Sequence, residues 1–155
     1  MPDMLVKLYE LPEKTTLINS LADSGIVIRR GLVPEKHIVK DWVQRTYGEH
    51  WASEVEATFS RQPVSCFIAT EGKNIVGFAC YEAICKNFFG PTGVDSSMQG
   101  KGIGKALLLA SMHALRDEGY AYAIIGGTGP SEFYAKAVGA VIIEGSVPGI
   151  YKGML

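Results

Sequence analysis

The sequence predicts a mixed α/β domain, a central sheet with helices packed against it. Three observations carry that expectation. Apolar residues recur at helical spacing in several stretches, and short apolar runs bounded by turn residues crowd the middle of the chain. A glycine-rich turn then leads from one such run straight into a long helical pattern. The 155 residues fit one domain, with no internal repeat, low-complexity tract or long linker to divide them.

Residues 4–11 form a short strand candidate closed by Pro12. Leu17, Ile18, Leu21 and Ala22 follow at helical spacing up to Gly25, and 26–30 reads as a strand. Pro34 suits a helix N-terminus, with Ile38, Trp42 and Arg45 on an amphipathic helix ending near Gly48. A second helix spans 51–59. From Pro63 the texture changes to strands. Residues 65–70 and 75–85 make a hairpin around the turn Glu71-Gly72-Lys73-Asn74. Residues 87–94 form another apolar strand, interrupted by Gly90-Pro91. A helix over 100–118 ends at Gly119, and 120–125 is an unbroken apolar run, the pattern of a strand buried on both faces. After the loop 126–130, Ser131 suits an N-cap for a short helix over 132–138, stopped by Gly139. Residues 140–143 and 149–155 read as closing strands.

Composition narrows the function. Hydrophobic residues make up 47% and charged residues 20%, which excludes disorder. Lys and Arg number 15 against 16 Asp and Glu, a balance that argues against a dedicated nucleic-acid binder. Cys66, Cys80 and Cys85 lack paired spacing, and His37, His50 and His113 lie far apart, so no metal site is expected. The cysteines read as reduced thiols. No charged-then-apolar leader opens the chain, and no stretch approaches the roughly 18–20 apolar residues that span a bilayer. The expectation is a soluble, cytoplasmic protein with no membrane partner.

Glycine is the unusual count: 18 residues, five of them between Gly90 and Gly104. Within Gln99-Gly100-Lys101-Gly102-Ile103-Gly104-Lys105, glycine removes every second side chain where a strand hands over to a helix. The N–H groups at a helix start have no partners within the helix, and the helix dipole favours an anion there. A flexible turn is the alternative. A Walker A loop does not fit, because Gln99 occupies its first Gly and Ala106 its Ser/Thr. The dinucleotide fingerprint fails too, since Lys105 stands at its last Gly.

The pattern Val94-x-x-x-x-Gln99-Gly100-x-Gly102-x-Gly104, followed by a long helix, resembles the pyrophosphate loop of the GNAT superfamily of acyl-CoA-dependent N-acyltransferases. The segment from Ser131 to Ala140 is similar to that family's FYxKxGF-type segment, in the right order along the chain. The resemblance implies a mostly antiparallel mixed sheet flanked by helices over 26–155, with residues 1–25 as an N-terminal strand-helix addition. It also implies acetyl-CoA as acyl donor and a small-molecule or peptide amine as acceptor. Val94 would then lie on a splayed strand that pairs with pantetheine. The N–H groups of Gly100, Gly102, Ile103, Gly104 and Lys105 would hold the pyrophosphate, with Gln99 lining the turn and Lys101 and Lys105 adding charge. Tyr134 matches the tyrosine that faces the thioester sulfur, a role its O–H suits, because acyl transfer to an amine expels a thiolate. Phe133 could take the core face instead.

Two departures stand out. Ser96 sits where a Pro often follows the strand valine, and Gly127 where many members carry an Asn that contacts CoA. The amine must be neutral to attack, so a base is expected. Glu82, on the strand after the hairpin turn, is the candidate, with a solvent-facing strand glutamate as the alternative. His113 reads as packed among Ala110, Ala114 and Leu115. Acceptor specificity would come from Trp42, Tyr47, His50, Trp51 and Phe59 with Glu49, Glu54 and Glu56, which suits a cationic amine if these do not simply divide between core and water. The leading expectation is direct acetyl transfer in a ternary complex. Its rival is an acyl-CoA-binding sensor or interaction module without turnover. The N-terminal addition would cover a sheet edge or pair with a second subunit in a homodimer.

Overall fold

The Gly72 turn sets the sheet. Gly72 takes a left-handed conformation (φ +59°), and β3 (Cys66–Glu71) folds back antiparallel on β4 (Asn74–Tyr81). A computed structural model describes all residues, 1–155. On the far edge of β3 lies β2 (Ile26–Arg30), and β5 (Phe88–Val94) pairs with the other side of β4. Next to β5 comes β6 (Tyr122–Ile125), the one parallel neighbour in the sheet. The seven strands run in the order β2-β3-β4-β5-β6-β1-β7, where β1 is Met4–Lys7 and β7 is Val141–Ile142. This is the mostly antiparallel mixed sheet expected from the resemblance.

Side-chain alternation sends each strand's residues to two cores. Phe78, Cys80 and Ile68 meet Val39, Trp42 and Val55 from α2 (Lys36–Tyr47) and α3 (Glu49–Thr58). The other face, with Ala79, Tyr81 and Phe89, is covered by α1 (Thr15–Asp23), α4 (Ile103–Asp117) and α5 (Ser131–Val138). Every residue of α4 from Ala106 to Leu115 is buried. A helix buried all round needs cover on both sides. The sheet supplies one side, and Leu11, Leu17 and Ile18 of the N-terminal segment pack into the same core.

Several expectations are corrected. The N-terminal segment does not cover a sheet edge. Its strand threads between β6 and β7, with Met4 and Leu5 paired on both sides, so it offers no free edge there to a second subunit. Residues 149–155 do not form a closing strand. Gly149–Tyr151 is a 3-10 turn after Pro148, and Gly149 and Gly153 both sit at positive φ. The apolar face of α2 is Val39, Trp42 and Val43, whereas Ile38 is exposed. Only Ala123 and Ile125 of β6 are buried, and Tyr122 is exposed, so this strand is buried on one face. Pro130, not Ser131, precedes α5. No helix is long and apolar enough to cross a membrane.

Candidate active site

The site begins where two strands part. β5 and β6 pair only at Phe88 with Ile124 and Phe89 with Ile125, after which Gly90 (φ +122°) and Pro91 turn β5 away. The Asp95 N–H bonds Val76 on β4, so by strand alternation the N–H groups of Thr92 and Val94 point the other way, into the gap. A cavity of about 540 Å³ fills this gap, lined among others by Thr92, Val94, Phe133 and Tyr134.

Gln99, Gly100, Gly102, Ile103, Gly104 and Lys105 close its far end. Gly100 and Gly102 lie at φ +81° and +89°, a backbone path that side-chain-bearing residues rarely adopt. The first helical bond of α4 runs from the Ala106 N–H to the Gly102 carbonyl, which leaves the N–H groups of Ile103, Gly104 and Lys105 without helix partners. No side chain caps this end. The Gln99 amide instead makes a long contact, 3.4 Å, to the Val94 carbonyl. Lys101 is exposed and outside the lining.

Tyr134 enters from the first turns of α5. Its loop is pinned by the N-terminus of the chain: Asp3 Oδ1 accepts from the Gly127 N–H at 2.8 Å, and Thr128 donates twice to the Pro2 carbonyl. Phe89 and Phe133 pack edge-on against its ring, at 6.4 and 5.1 Å between centroids. Tyr134 is the buried one of the pair, and Phe133 stands 37% exposed at the cavity mouth, the reverse of the core role open to it in the sequence. No protein group hydrogen-bonds the Tyr134 hydroxyl, which borders the cavity. Burial pushes its pKa above the ordinary 10.0, so the phenol stays protonated at neutral pH.

Glu82 is elsewhere. β4 ends at Tyr81, and Glu82 takes a left-handed turn conformation (φ +53°) with its side chain buried. Three donors hold its carboxylate: Arg61 Nη2 at 2.8 Å, the Asn87 N–H at 2.7 Å and the Tyr120 hydroxyl at 2.6 Å. Burial pushes this carboxyl up, but hydrogen bonding with Glu118, Tyr120 and Asn87 and the Arg61 charge outweigh it and hold the pKa below normal. In return Glu82 drives the Tyr120 phenol up to about 12. The geometry gives Glu82 the work of tying the 82–87 turn to Tyr120, away from the cavity lining. His113 is likewise occupied, with Nε2 against the Pro12 carbonyl at 2.7 Å and Nδ1 against Arg116 at 3.0 Å.

A second cavity, about 350 Å³, lies across the gap between α3 and the ends of β5 and β6. His50, Trp51 and Glu54 line it, together with Tyr151 and Met154. Between the two cavities is a hollow of about 280 Å³, bordered by Trp51, Thr92, Gly127, Pro130 and Tyr134. Of the residues expected to read the acceptor, Trp42 and Phe59 are core, and Glu56 pairs with Lys40 at 2.6 Å. Tyr151 and Met154 line this cavity from a segment whose apolar residues suggest a strand in the sequence and which instead turns through a 3-10 helix. Gly126 is what admits Tyr151: a Cβ there would lie 3.0 Å from the Tyr151 hydroxyl. Gly127, at the position of the family's asparagine, takes a left-handed conformation (φ +53°), and a Cβ there would meet the Tyr151 ring only at an ordinary 3.8 Å.

Comparisons with known proteins bear on the family and the fold. Residues 36–139 match the model of the acetyltransferase (GNAT) family. No curated protein matches the chain significantly. Among solved structures, the GCN5-related glucosamine N-acetyltransferase region of a fungal multi-domain GH3 beta-N-acetylglucosaminidase is 14% identical, with a TM-score of 0.73. The match covers 92% of this chain and 19% of that one. A GCN5-related N-acetyltransferase from Sphaerobacter thermophilus is 19% identical with a TM-score of 0.72, over 92% of this chain and 48% of its own. The aminoglycoside N-acetyltransferase AAC(6')-Iy in complex with CoA is 16% identical with a TM-score of 0.52, over 72% and 82%. This chain thus spans less than half the length of the first two. At these identities the structures establish a shared fold, and the family match covers about two thirds of the sequence. The chain belongs to the acetyltransferase (GNAT) family.

Proposed function

We propose that the chain is an N-acetyltransferase that moves an acetyl group from acetyl-CoA to a primary amine by direct attack in a ternary complex. The observation that carries this reading is the Tyr134 hydroxyl, free of protein partners, at the junction of two cavities. One of them ends in unpaired helix-start N–H groups. Those donors suit a pyrophosphate, and the Thr92 and Val94 N–H groups suit an extended amide chain, so the cavity fits CoA.

Acetyl-CoA supplies an acyl carbon activated as a thioester. The N–H groups of Gly100 to Lys105 bind its diphosphate, and Lys105 adds charge at the rim. The Val94 and Thr92 N–H groups orient the pantetheine arm and, at its end, donate to the carbonyl oxygen as negative charge develops. Tyr134 holds its proton at neutral pH and passes it to the departing sulfur. Phe89, Phe133 and Tyr134 keep water from the reacting end of the cleft.

Thermal unfolding with acetyl-CoA, with NAD and ATP as controls, tests the binding half. At 100 times its dissociation constant a native-state ligand adds ~2.7 kcal/mol. For a protein of this size that raises the melting temperature by about 5–10 °C. A shift with acetyl-CoA alone leads on to screening amines for released thiol. If nothing shifts at saturation, the loop is not a CoA site and the catalytic reading falls with it.

A further inference from the structure

The cavity between α3 and the β5–β6 gap carries a chemistry that the acetyltransferase reading leaves open. Three observations bear on it. Glu54 is the one carboxylate among the residues that line the two cavities and the hollow between them. No cation holds it, because Lys40 of the neighbouring helix pairs with Glu56 on the other side of α3. Aromatic rings stand beside it. Trp51 lies one turn earlier on α3, fixed by Tyr47 at 4.9 Å and Phe78 at 6.2 Å between centroids, and Tyr151 comes from the 3-10 turn.

We infer that this cavity is the acceptor subsite and that it takes a compact primary amine as its ammonium form. The charge is met by Glu54, and the hydrocarbon or aromatic body lies between Trp51 and Tyr151. An unpaired, half-buried carboxylate beside aromatic faces is what an ammonium group gains most from: one ion pair in reduced dielectric and ring faces of negative potential. Burial pushes the Glu54 carboxyl above its ordinary value, and His50, one turn earlier, opposes that only in part. The carboxylate therefore gains from an arriving cation. At about 350 Å³ the cavity suits a small molecule or a single terminal amine rather than a folded surface. The exit toward Tyr134 through the hollow at Gly127 and Pro130 gives the nitrogen its path to the acyl carbon.

The inference rests on the acetyltransferase reading and completes its proton balance. Glu54 takes one proton from the ammonium. The freed nitrogen lone pair forms the C–N bond to the acetyl carbon as the C–S bond breaks, its electron pair leaving on sulfur. Tyr134 gives its proton to that sulfur and recovers one from the new amide nitrogen. The proton on Glu54 passes to water, so the products are the amide, the CoA thiol and one released proton.

The test uses the full chain with phenethylamine, tyramine and cadaverine as cationic probes, and aniline as a nucleophile uncharged at neutral pH. Wild type, Glu54→Gln and Glu54→Asp are compared for thiol release and for the melting shift with acetyl-CoA. The expected result is acetylation of at least one cationic probe by the wild type. In Glu54→Gln its KM rises about 10–100-fold, as loss of a charge-assisted contact implies, with partial recovery in Glu54→Asp. Aniline, which brings no charge to Glu54, should lose less than the cationic probes, and the acetyl-CoA shift should stay at the wild-type level. If acetyl-CoA binds but no cationic probe is acetylated, or if Glu54→Gln leaves KM for them unchanged, the inference is overturned while CoA binding stands. If no variant shifts with acetyl-CoA, the acetyltransferase reading itself has failed.

Discussion

Replacing Tyr134 by Phe removes a single oxygen from the place where the two cavities meet. The hydroxyl has no protein partner, so its loss orphans no donor or acceptor, and the ring keeps its contacts with Phe89 and Phe133. Stability should therefore change by no more than about 0.5 kcal/mol, and the melting shift with acetyl-CoA should persist. The rate should not. A positioned acid contributes about 10²–10⁴-fold, and a departing thiolate, whose parent thiol has a pKa near ~8.5, needs less help than an alkoxide. The lower end, about 100-fold in kcat, corresponds to ~2.7 kcal/mol of lost transition-state stabilisation. The pH profile supplies a second readout. Burial moves the Tyr134 pKa upward from 10.0, so the proton is retained until the pH climbs past 10, and wild-type kcat should show no loss from this group below that point. Stopped-flow thiol release, calorimetric melting and the acetyl-CoA shift would be measured on both proteins. A kcat within about threefold of wild type would refute the acid role. A collapsed melting temperature would show Tyr134 to be a packing residue whose kinetic effect is indirect.

Two further outcomes follow from the packing. Leu8 is fully buried just after β1, so Leu8→Ala should destabilise by about 2–5 kcal/mol in denaturant melts. A dispensable N-terminal extension would instead leave the melt where it was. Glu82→Gln should weaken the fold by about 1–3 kcal/mol at neutral pH by spoiling the Arg61, Asn87 and Tyr120 contacts, with KM for the amine untouched. Because the folded pKa of Glu82 is lowered, its contribution is complete above the unfolded value and is lost as pH falls through the folded one. The wild type should thus lose more stability on acidification than Glu82→Gln. Loss of kcat with an unchanged melt would return Glu82 to the list of catalytic groups.

Much of the molecule was legible in the chain. The helix over 103–117, the Gly72 hairpin and the strand 26–30 are written in local spacing and turn chemistry, which act over a few residues and read directly. The glycine loop was legible for the same reason, since alternate glycines before a helix constrain the backbone wherever the segment sits. The candidate Tyr134 stands out through a motif that is itself local. What the sequence could not reveal is which segment fills which slot. That residues 4–7 pair with β6 joins segments more than a hundred residues apart, which no local pattern records. That outcome fixed three others. Pro2 and Asp3 reach the loop before Tyr134, the N-terminal segment covers α4, and Tyr151 is left free to wall the second cavity. The surroundings of Glu82 follow the same principle. Strand alternation offers two faces for a side chain, but only the assembled structure brings Arg61 and Tyr120 from distant segments to close around it. Local periodicity thus determined the elements and the glycine turn before α4 by itself. The tertiary structure decided the strand slots and the wall of the second cavity, because long-range pairing energies leave no mark on neighbouring residues.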